Sequence, residues 1–259
     1  MRGSFSSSLN GAPFQQTRII ARIMQPRCPH LEPLRIDGEY FSPAEIIKVL
    51  GPLVSAARRK RINATLDHRT YTVTPVMEGL YDRGNVSAVL RSGEALGYQS
   101  AHIIQTSPNF KKAKRVTQGA EKWLDIHLWE STAECIHALK AQGYKILATS
   151  LEDRPRPMAE IDFTEPAALV FGNEKDGVSP ELLSLADERV AIPMLGFSQS
   201  FNISVAAALS FYHAYQDRVS CQGYHGDLTT AEREALTAIY YFRSVGSPGP
   251  ILLRSQIVD

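Results

Sequence analysis

The chain has 259 residues, and 44% of them are hydrophobic, which is enough apolar material for one large folded domain with terminal additions. Its 28 lysines and arginines nearly balance its 27 acidic residues, so the net charge of +1 excludes the general basic excess of many nucleic-acid-binding proteins. The three cysteines are far apart and show no zinc-ligand spacing, so we expect free thiols and no metal. No apolar run approaches the roughly 18 residues of a membrane span, so we expect no membrane segment.

Residues 1–31 differ in composition from the rest of the chain. They contain four arginines and no acidic residue, and four serines lie within residues 4–8. Such a segment is typical of an organelle transit peptide, with a disordered tail or an expression remnant as the alternatives. We assign residues 1–41 to a transit-like or disordered segment. The expected location is the chloroplast or mitochondrion if residues 1–31 are a transit peptide, and the cytoplasm otherwise.

The first helix is predicted to begin at Ser42-Pro43, a pair typical of an N-cap followed by proline at the first helical position. Gly51-Pro52 interrupts this helix, and a second one is predicted over residues 53–67. We interpret residues 42–70 as a basic N-terminal helical extension. The cations that make it basic are Arg58, Arg59, Lys60 and Arg61.

From residue 71 onward, apolar runs alternate with segments of helical periodicity. The predicted strands are 71–77, 101–104, 145–148, 167–171 and 189–192, and the predicted helices are 85–96, 131–141, 180–186 and 202–217. This alternation predicts an α/β fold with a mostly parallel sheet flanked by helices over residues 71–226. Pro75 is expected to weaken the first strand at its middle. Residues 227–259 are predicted to form a helix and a Gly/Pro-rich tail.

Ligands of open α/β sheets bind beyond the carboxyl ends of the strands, and three such ends are rich in functional groups here. The first leads into the helix over residues 85–96, with Asn85 at the expected N-cap and Arg91 near the middle. Arg91 is either a solvated cation on an ordinary amphipathic helix or a functional group.

The second strand end leads into a glycine-rich turn over residues 171–179, where Gly172 lets backbone amides approach a ligand. Glu174 is either a surface cap or a hydrogen-bonding partner of a ligand. Gly177 is followed by Val178-Ser179 and not by Lys-Ser/Thr, and GxGxxG is missing. Both facts disfavour a nucleotide-hydrolysing or dinucleotide-binding enzyme.

The third strand end covers residues 192–202. Ser200 and Asn202 are capping residues for the helix that follows, and capping alone explains both of them. The segment over residues 192–196 places apolar surface and bare backbone beside a helix N-terminus. This arrangement suits a flat ring with polar edges, such as adenine.

In their order and separation, these three segments resemble the motifs of the SpoU class of RNA 2′-O-ribose methyltransferases, in the SPOUT superfamily. The chain most resembles the TrmH branch, the tRNA guanosine-2′-O-methyltransferases. Further matching pieces are Glu121-Lys122-Trp123, Ala148-Thr149, 181–187 and 199–202. The resemblance covers residues 58–226, and it departs from the family at Phe201, where leucine is usual, and at Asp82-Arg83-Gly84, which replaces a Lys-Pro-His type of segment.

The resemblance implies a C-terminal trefoil knot, a homodimer, and S-adenosyl-L-methionine as the cofactor. It also implies that the alanine-rich helix over residues 202–217 packs at the dimer interface. Carried over by motif, the residues that line the cofactor pocket are Thr149, Gly172, Ile192, Met194 and Phe201.

The same resemblance assigns Arg91 to the ribose 2′-hydroxyl, assisted by an adjacent phosphate. A guanidinium essentially never loses its proton in proteins, so Arg91 is either an unusual base or a clamp that holds the phosphate and orients the ribose. The remaining catalytic positions belong to Asn85, Glu174, Ser200 and Asn202, which we expect to position Arg91, the target nucleotide and the cofactor loop.

RNA binding requires cations that neutralise phosphates. Two clusters supply them, one at residues 58–61 and one at residues 111–115, which includes Lys112, Lys114 and Arg115; the alternative is that both are solvated patches. We expect a methyltransferase that acts on a guanosine of the tRNA D-loop. The alternatives are the same reaction on rRNA and a catalytically inactive RNA-binding scaffold.

Overall fold

A computed structural model of the chain describes residues 27–80, 82–105 and 122–256. The strands in these ranges are β1 (Leu34–Ile36), β2 (Glu39–Phe41), β3 (Val73–Glu78), β4 (Ser100–Ile104), β5 (Asp125–Trp129), β6 (Lys145–Thr149), β7 (Arg156–Pro157), β8 (Ala167–Phe171) and β9 (Glu188–Ala191). The helices are α1 (Pro43–Leu50), α2 (Ala56–Leu66), α3 (Arg83–Ala95), α4 (Thr132–Ala141), α5 (Pro180–Leu185), α6 (Ile203–Gln222), α7 (Thr230–Ser244) and α8 (Pro248–Ser255). None of them has the length and apolarity that crossing a membrane requires.

Seven strands form one parallel sheet, in the order β5-β4-β3-β8-β6-β9-β7. Strand β8 is buried on both faces, because Leu169 and Phe171 pack with α3 and α6 while Ala168 and Val170 pack with α4 and α5. A continuous apolar strand of this kind is expected where helices cover both faces of a sheet. The predicted parallel sheet flanked by helices is therefore confirmed.

The expectation that Pro75 would weaken its strand is wrong. Strand β3 is fully buried and lies between β4 and β8. Pro75 pairs in register with Leu169 of β8, whereas pairing with β4 starts one residue later, at Val76. Pro75 has no backbone N–H to donate, and it lies just before the residue at which pairing with β4 begins. The strand therefore accommodates the proline at this position.

The N-terminal boundary of the folded chain lies earlier than residue 42. Strands β1 and β2 pair as a hairpin, and Cys28 and Phe41 are buried in a second apolar cluster with side chains of α1 and α7. Burial of these two side chains makes residues 27–41 part of the fold, so a removable leader sequence would have to end before Arg27.

The C-terminal tail also differs from expectation, because α8 packs Leu252 into the same cluster.

The start of α3 is also corrected. Its N-cap is Asp82, whose Oδ1 accepts a hydrogen bond of 2.8 Å from the Gly84 amide. Asn85, the expected cap, lies in the first turn of the helix. Its side chain is therefore available for other contacts.

Asp125, at the start of β5, joins the two ends of the chain to the sheet. It is 5% exposed, and its carboxylate pairs with His30 Nε2 at 2.7 Å, accepts from the Tyr71 hydroxyl at 2.6 Å and pairs with Arg243 of α7 at 3.4 Å. Burial raises the pKa of Asp125, but the hydrogen bond and charge of His30, the Tyr71 hydroxyl and the charge of Arg243 outweigh it and leave that pKa below its ordinary value. The ionised carboxylate is therefore the form that the fold stabilises.

Replacing this carboxylate should destabilise the protein. We expect Asp125→Asn to lower the free energy of unfolding by about 3 kcal/mol in denaturant titrations at neutral pH, because the change leaves buried partners unpaired. A group with a lowered native pKa stabilises the fold above its unfolded pKa and loses that effect as the pH falls through the native value. The variant should accordingly lose less stability than the parent when the pH falls below about 4. The control is Asp162→Asn, since Asp162 is exposed and its side chain bonds only to Thr164 among the described residues. An equal loss in both variants would contradict the role given to Asp125.

Candidate functional site

The three polar strand ends meet at the carboxyl edge of the sheet. Asn85 Nδ2 donates a short hydrogen bond to Glu174 Oε1, and Asn202 Nδ2 donates to Asn85 Oδ1 at 3.3 Å. These residues come from α3, from the loop after β8 and from the N-cap of α6. Three of the five predicted catalytic residues thus form one network, although they are up to 117 positions apart in the chain.

Asn202 has both of the roles that the sequence left open. Its Oδ1 accepts from the Ser204 amide at 2.9 Å and from the Ser204 hydroxyl at 2.6 Å, which caps α6. Its Nδ2 is directed to Asn85 at the same time. Capping therefore fixes the orientation of the amide that reaches the network.

The loop that carries Glu174 is closed by its backbone. Asn173 and Gly177 exchange two backbone hydrogen bonds of 3.0 Å, and the Asn173 side chain accepts from the amides of Lys175 and Asp176. A Cβ at Gly172 would lie 2.0 Å from the carbonyl carbon of Gly177. Backbone does approach Gly172 closely, as the sequence predicts. In this structure the approaching backbone belongs to the same loop.

Glu78 anchors the other end of this loop, and the sequence reasoning missed it. The side chain is buried at the end of β3, where Oε1 accepts from the hydroxyls of Thr132 and Ser179 at 2.8 and 2.7 Å. Its Oε2 accepts from the Ser179 amide at 2.8 Å. Ser179 in turn caps α5, so one buried carboxylate fixes both the loop end and the helix start. A glutamate at the end of an apolar strand was the available signal.

An apolar segment with free backbone groups lies beside the network. Among the described residues, the backbone groups of residues 194–201 have no hydrogen-bond partner, whereas their side chains include Leu195 and Phe197, which are fully exposed. Ile192 packs against the core, Met194 is half-buried and Phe201 is 39% exposed. This combination of apolar side chains and free backbone donors and acceptors fits a planar heteroaromatic ligand.

The other residues of the predicted cofactor pocket lie at neighbouring strand ends. Thr149 ends β6, and its hydroxyl donates to the Val170 carbonyl at 2.9 Å. Gly172 directly follows β8, the strand that pairs with β6. Because parallel strands end at the same edge, the structure places both residues on the side of the sheet where the network lies.

Two predicted catalytic residues remain separate from the network. Arg91 and Ser200 are exposed, and neither forms a hydrogen bond or ion pair with another residue in the described part of the chain. Arg91 is six residues after Asn85 on α3, which turns it about 120° away from Asn85 around the helix. Its charge is therefore not used within the described part of the chain, and it is available to a substrate group.

The basic cluster of α2 does not act as one unit. Arg59 donates to the carbonyls of Gly51 and Val54, both at 2.7 Å, and so stabilises the turn before the helix. Arg58, Lys60 and Arg61 are exposed. The predicted RNA-binding residues Lys112, Lys114 and Arg115 lie outside the described residues. Within the described ranges, His, Cys, Asp and Glu side chains form no group of three that could hold a metal ion.

The fold and the site define an α/β protein whose ligand site lies at the carboxyl edge of a parallel sheet, where a polar network adjoins an apolar segment with free backbone groups. Residues 73–212 match the model of the SpoU rRNA Methylase family, and the chain belongs to that family.

Similar proteins and solved structures carry names from the same family. The chain is 37% identical, over 163 residues, to the tRNA (guanosine(18)-2′-O)-methyltransferase of Thermus thermophilus, covering 63% of this chain and 84% of the relative. It resembles the crystal structure of the A. aeolicus TrmH/SpoU tRNA modifying enzyme with a TM-score of 0.67 and 31% identity, over 74% of this chain and 98% of that one. It also resembles the SpoU methyltransferase AviRb from Streptomyces viridochromogenes in complex with AdoMet, with a TM-score of 0.52 and 25% identity, over 60% and 62% of the two chains.

The close approach at Gly172 can be tested against a matched glycine. We expect Gly172→Ala to lower the free energy of unfolding by about 2 kcal/mol or more, because the new methyl group meets backbone that has to move. Gly196→Ala should change it by less than about 0.5 kcal/mol, since nothing lies within 4 Å of its added Cβ. Denaturant unfolding of both variants measures the difference. Equal stabilities would show that the loop opens freely at Gly172.

Proposed function

We propose that this protein transfers a methyl group from S-adenosyl-L-methionine to the ribose 2′-hydroxyl of a guanosine in the D-loop of tRNA. The observation that carries the proposal is the network of Asn85, Glu174 and Asn202 beside the free backbone of residues 194–201. The relatives named as tRNA (guanosine(18)-2′-O)-methyltransferases support the nucleotide and the RNA.

The residues at the carboxyl edge of the sheet fit the cofactor. Apolar side chains of Ile192, Met194 and Phe201 offer contacts to an adenine ring, and the backbone of residues 194–201 offers donors and acceptors to its polar edge. When bound, S-adenosyl-L-methionine supplies a methyl group on a sulfonium centre. The leaving group is a neutral thioether, so its departure needs no metal. The bound AdoMet in the AviRb structure supports this assignment.

The chain's own residues then have to position a weak nucleophile. The 2′-hydroxyl attacks well only if its proton is held or removed as the new oxygen–carbon bond forms. Arg91 is an exposed cation of α3 that forms no ion pair with another described residue, and it suits a bidentate clamp on the adjacent phosphate, which orients the ribose and assists loss of the proton. Asn85, Glu174 and Asn202 hold the edge of the site in one geometry, and Ser200, exposed before α6, is available to the cofactor or the nucleotide.

The finer features of the family belong to the same proposal. The strand order, in which β8 separates β3 from β6 and β9 follows β6, supports a trefoil knot built from the loops after β8 and β9. An exposed apolar stripe, formed by Phe201, Val205, Leu209 and Tyr212, supports a homodimer through α6. Stripes of this kind on a helix mark protein interfaces.

The same reaction on ribosomal RNA is the second candidate, and the family model that matches residues 73–212 favours it by its description. The location of the protein also remains a proposal. An organellar transit segment is supported by the arginine-rich composition of the chain before Arg27, and without it the protein is cytoplasmic.

Loss of Arg91 should abolish most of the activity. We expect Arg91→Ala to lower turnover about a hundredfold or more with unmodified tRNA, because one group that orients the reacting hydroxyl is removed. Methyl-labelled S-adenosyl-L-methionine measures the rate, and mapping of the labelled ribose identifies the nucleotide. Arg254→Ala, which removes an exposed cation from α8, is the matched control and should keep parental turnover.

The outcomes separate the candidate functions. Label at a D-loop guanosine that is lost in Arg91→Ala supports the reaction, the substrate and the key residue. Label only in rRNA transcripts would retain the chemistry and replace the substrate. No transfer to any RNA together with failure to bind S-adenosyl-L-methionine would contradict the enzyme assignment and favour an RNA-binding scaffold.

The dimer can be tested at the centre of the apolar stripe. We expect Leu209→Glu to convert the dimer into a monomer in sedimentation experiments, because a carboxylate would be buried between two copies of α6. Leu53→Glu, an exposed leucine between α1 and α2, makes the same chemical change elsewhere and should leave the dimer intact. A parental protein that sediments as a monomer would refute the dimer.

A further inference from the structure

A cavity lies away from the site at the carboxyl edge of the sheet. It has a volume of about 250 Å³ and is formed by α2, by the segment before β5, by the C-terminal part of α3 and by α7. The residues that matter for its chemistry are Arg58, Arg61, Arg69, Glu94, Trp123 and Tyr240. Glu94 and Asn85 are nine residues apart on α3, which is about 14 Å along the helix axis, so this cavity and the Asn85 network are separate.

The cavity is positively charged. Arg69 is 1% exposed and pairs with Glu94 at 2.5 Å, so these two charges offset each other. Arg58 and Arg61, which are exposed, form no ion pair with another residue of the described chain. Two guanidinium groups that pair with no described carboxylate therefore border one small cavity, and guanidinium groups are well matched to phosphate.

The cavity also has an aromatic wall. The Trp123 ring is half-buried and is held edge-on by Tyr240, with 5.1 Å between the ring centroids. The Arg58 guanidinium lies 5.9 Å from the centre of the Trp123 ring. An aromatic ring with adjoining arginines is the combination by which proteins hold a nucleic-acid base and its phosphate.

Helix α2 is held firmly in the position that presents these groups. Arg233 of α7 pairs with Asp67 at 2.8 Å and donates to the Asn63 carbonyl at 3.2 Å. Ile62 and Leu66 of α2 are buried in the apolar cluster shared with α7. The cavity is therefore formed by packed elements, not by a single loop.

We propose that this cavity binds one nucleotide of the RNA substrate other than the target nucleotide, with its base on Trp123 and its phosphate held by Arg58 and Arg61. A volume near 250 Å³ is below that of typical small-molecule pockets, which favours one base and its phosphate over a larger ligand. The inference rests on the proposed function, because it takes the RNA substrate as the ligand. It also divides the basic cluster, since Arg61 borders the cavity whereas the neighbouring Lys60 does not.

The proposal can be tested by removing the positive charge of Arg61 in one variant and that of its neighbour Lys60 in another. We expect Arg61→Gln to weaken binding of an unmodified tRNA transcript about five- to tenfold at constant salt, and to lower the salt slope by about 1. Lys60→Gln removes the same charge from the same turn and should weaken binding less than about twofold, through the general field alone. Trp123→Leu should weaken binding about tenfold through loss of stacking. Thermal unfolding of each variant shows whether the fold is retained, and Trp123→Phe, which keeps a flat ring, should restore much of the affinity.

Fluorescence gives a direct readout without any change in the cavity. The chain has two tryptophans, so in Trp129→Phe the emission comes from Trp123 alone. We expect quenching as tRNA is added, with the same midpoint as filter binding. The Arg61→Gln change, made in the same background, should shift both midpoints together.

Each outcome supports or overturns the inference. Quenching together with a selective effect of Arg61→Gln supports it, and if such a protein transfers no methyl group, only the proposed function fails. Equal effects of Arg61→Gln and Lys60→Gln, with unchanged Trp123 emission while tRNA binds, would overturn the cavity and leave the methyltransferase standing. Saturation by a nucleoside monophosphate without any response to tRNA would also overturn it, and absence of all RNA binding would overturn both proposals.

Discussion

The site depends on the hydrogen-bonded register of β8 between β3 and β6. Met77 pairs with Phe171 and Ala148 with Val170, so three strands end at nearly the same level. The residues that follow, Glu78 and Gly172 among them, are therefore brought to one edge whatever their distance in sequence. A shift of one residue would turn every side chain of β8 to the opposite face, and both faces are packed. Apolar packing thus fixes the position of a polar site.

Two buried carboxylates connect this sheet to the rest of the chain. Glu78, at the carboxyl end of β3, accepts three hydrogen bonds from Thr132 and Ser179 and fixes the loop that presents Glu174. Asp125 begins β5 and joins His30 and Arg243, from the two ends of the chain, to the sheet. Desolvating a carboxylate is costly, and each of these is satisfied by several donors, which is why burial is tolerated.

The sequence predicts those elements whose ends are marked by local chemistry. Strand β8 and helices α4 and α5 were placed within a residue or two, because an apolar run, a serine cap and a following glycine or proline define them. Strand β5 was not predicted, since its partly exposed residues at the sheet edge show no clear alternation. The convergence of Asn85, Glu174 and Asn202 followed from the rule for strand ends. The N-cap at Asp82 and the hydrogen bonds of Arg59 could not be predicted from the sequence. Which of several neighbouring residues caps a helix or binds a carbonyl is decided by the folded backbone.

Helix α3 relates the two candidate contacts with RNA. Its first turn holds Asn85 in the network at one edge of the sheet, and its last turn holds Glu94 against Arg69 beside the cavity bordered by Arg61 and Trp123. A Cβ added at Gly93, between these ends, would lie 3.7 Å from the Phe211 ring, so the helix packs closely on α6, whose N-cap is Asn202. Under the two proposals, a single rigid element sets the separation between the target ribose and a second nucleotide. An RNA that contacts both edges has to match that fixed separation, and shape can then contribute to selection of the substrate alongside sequence.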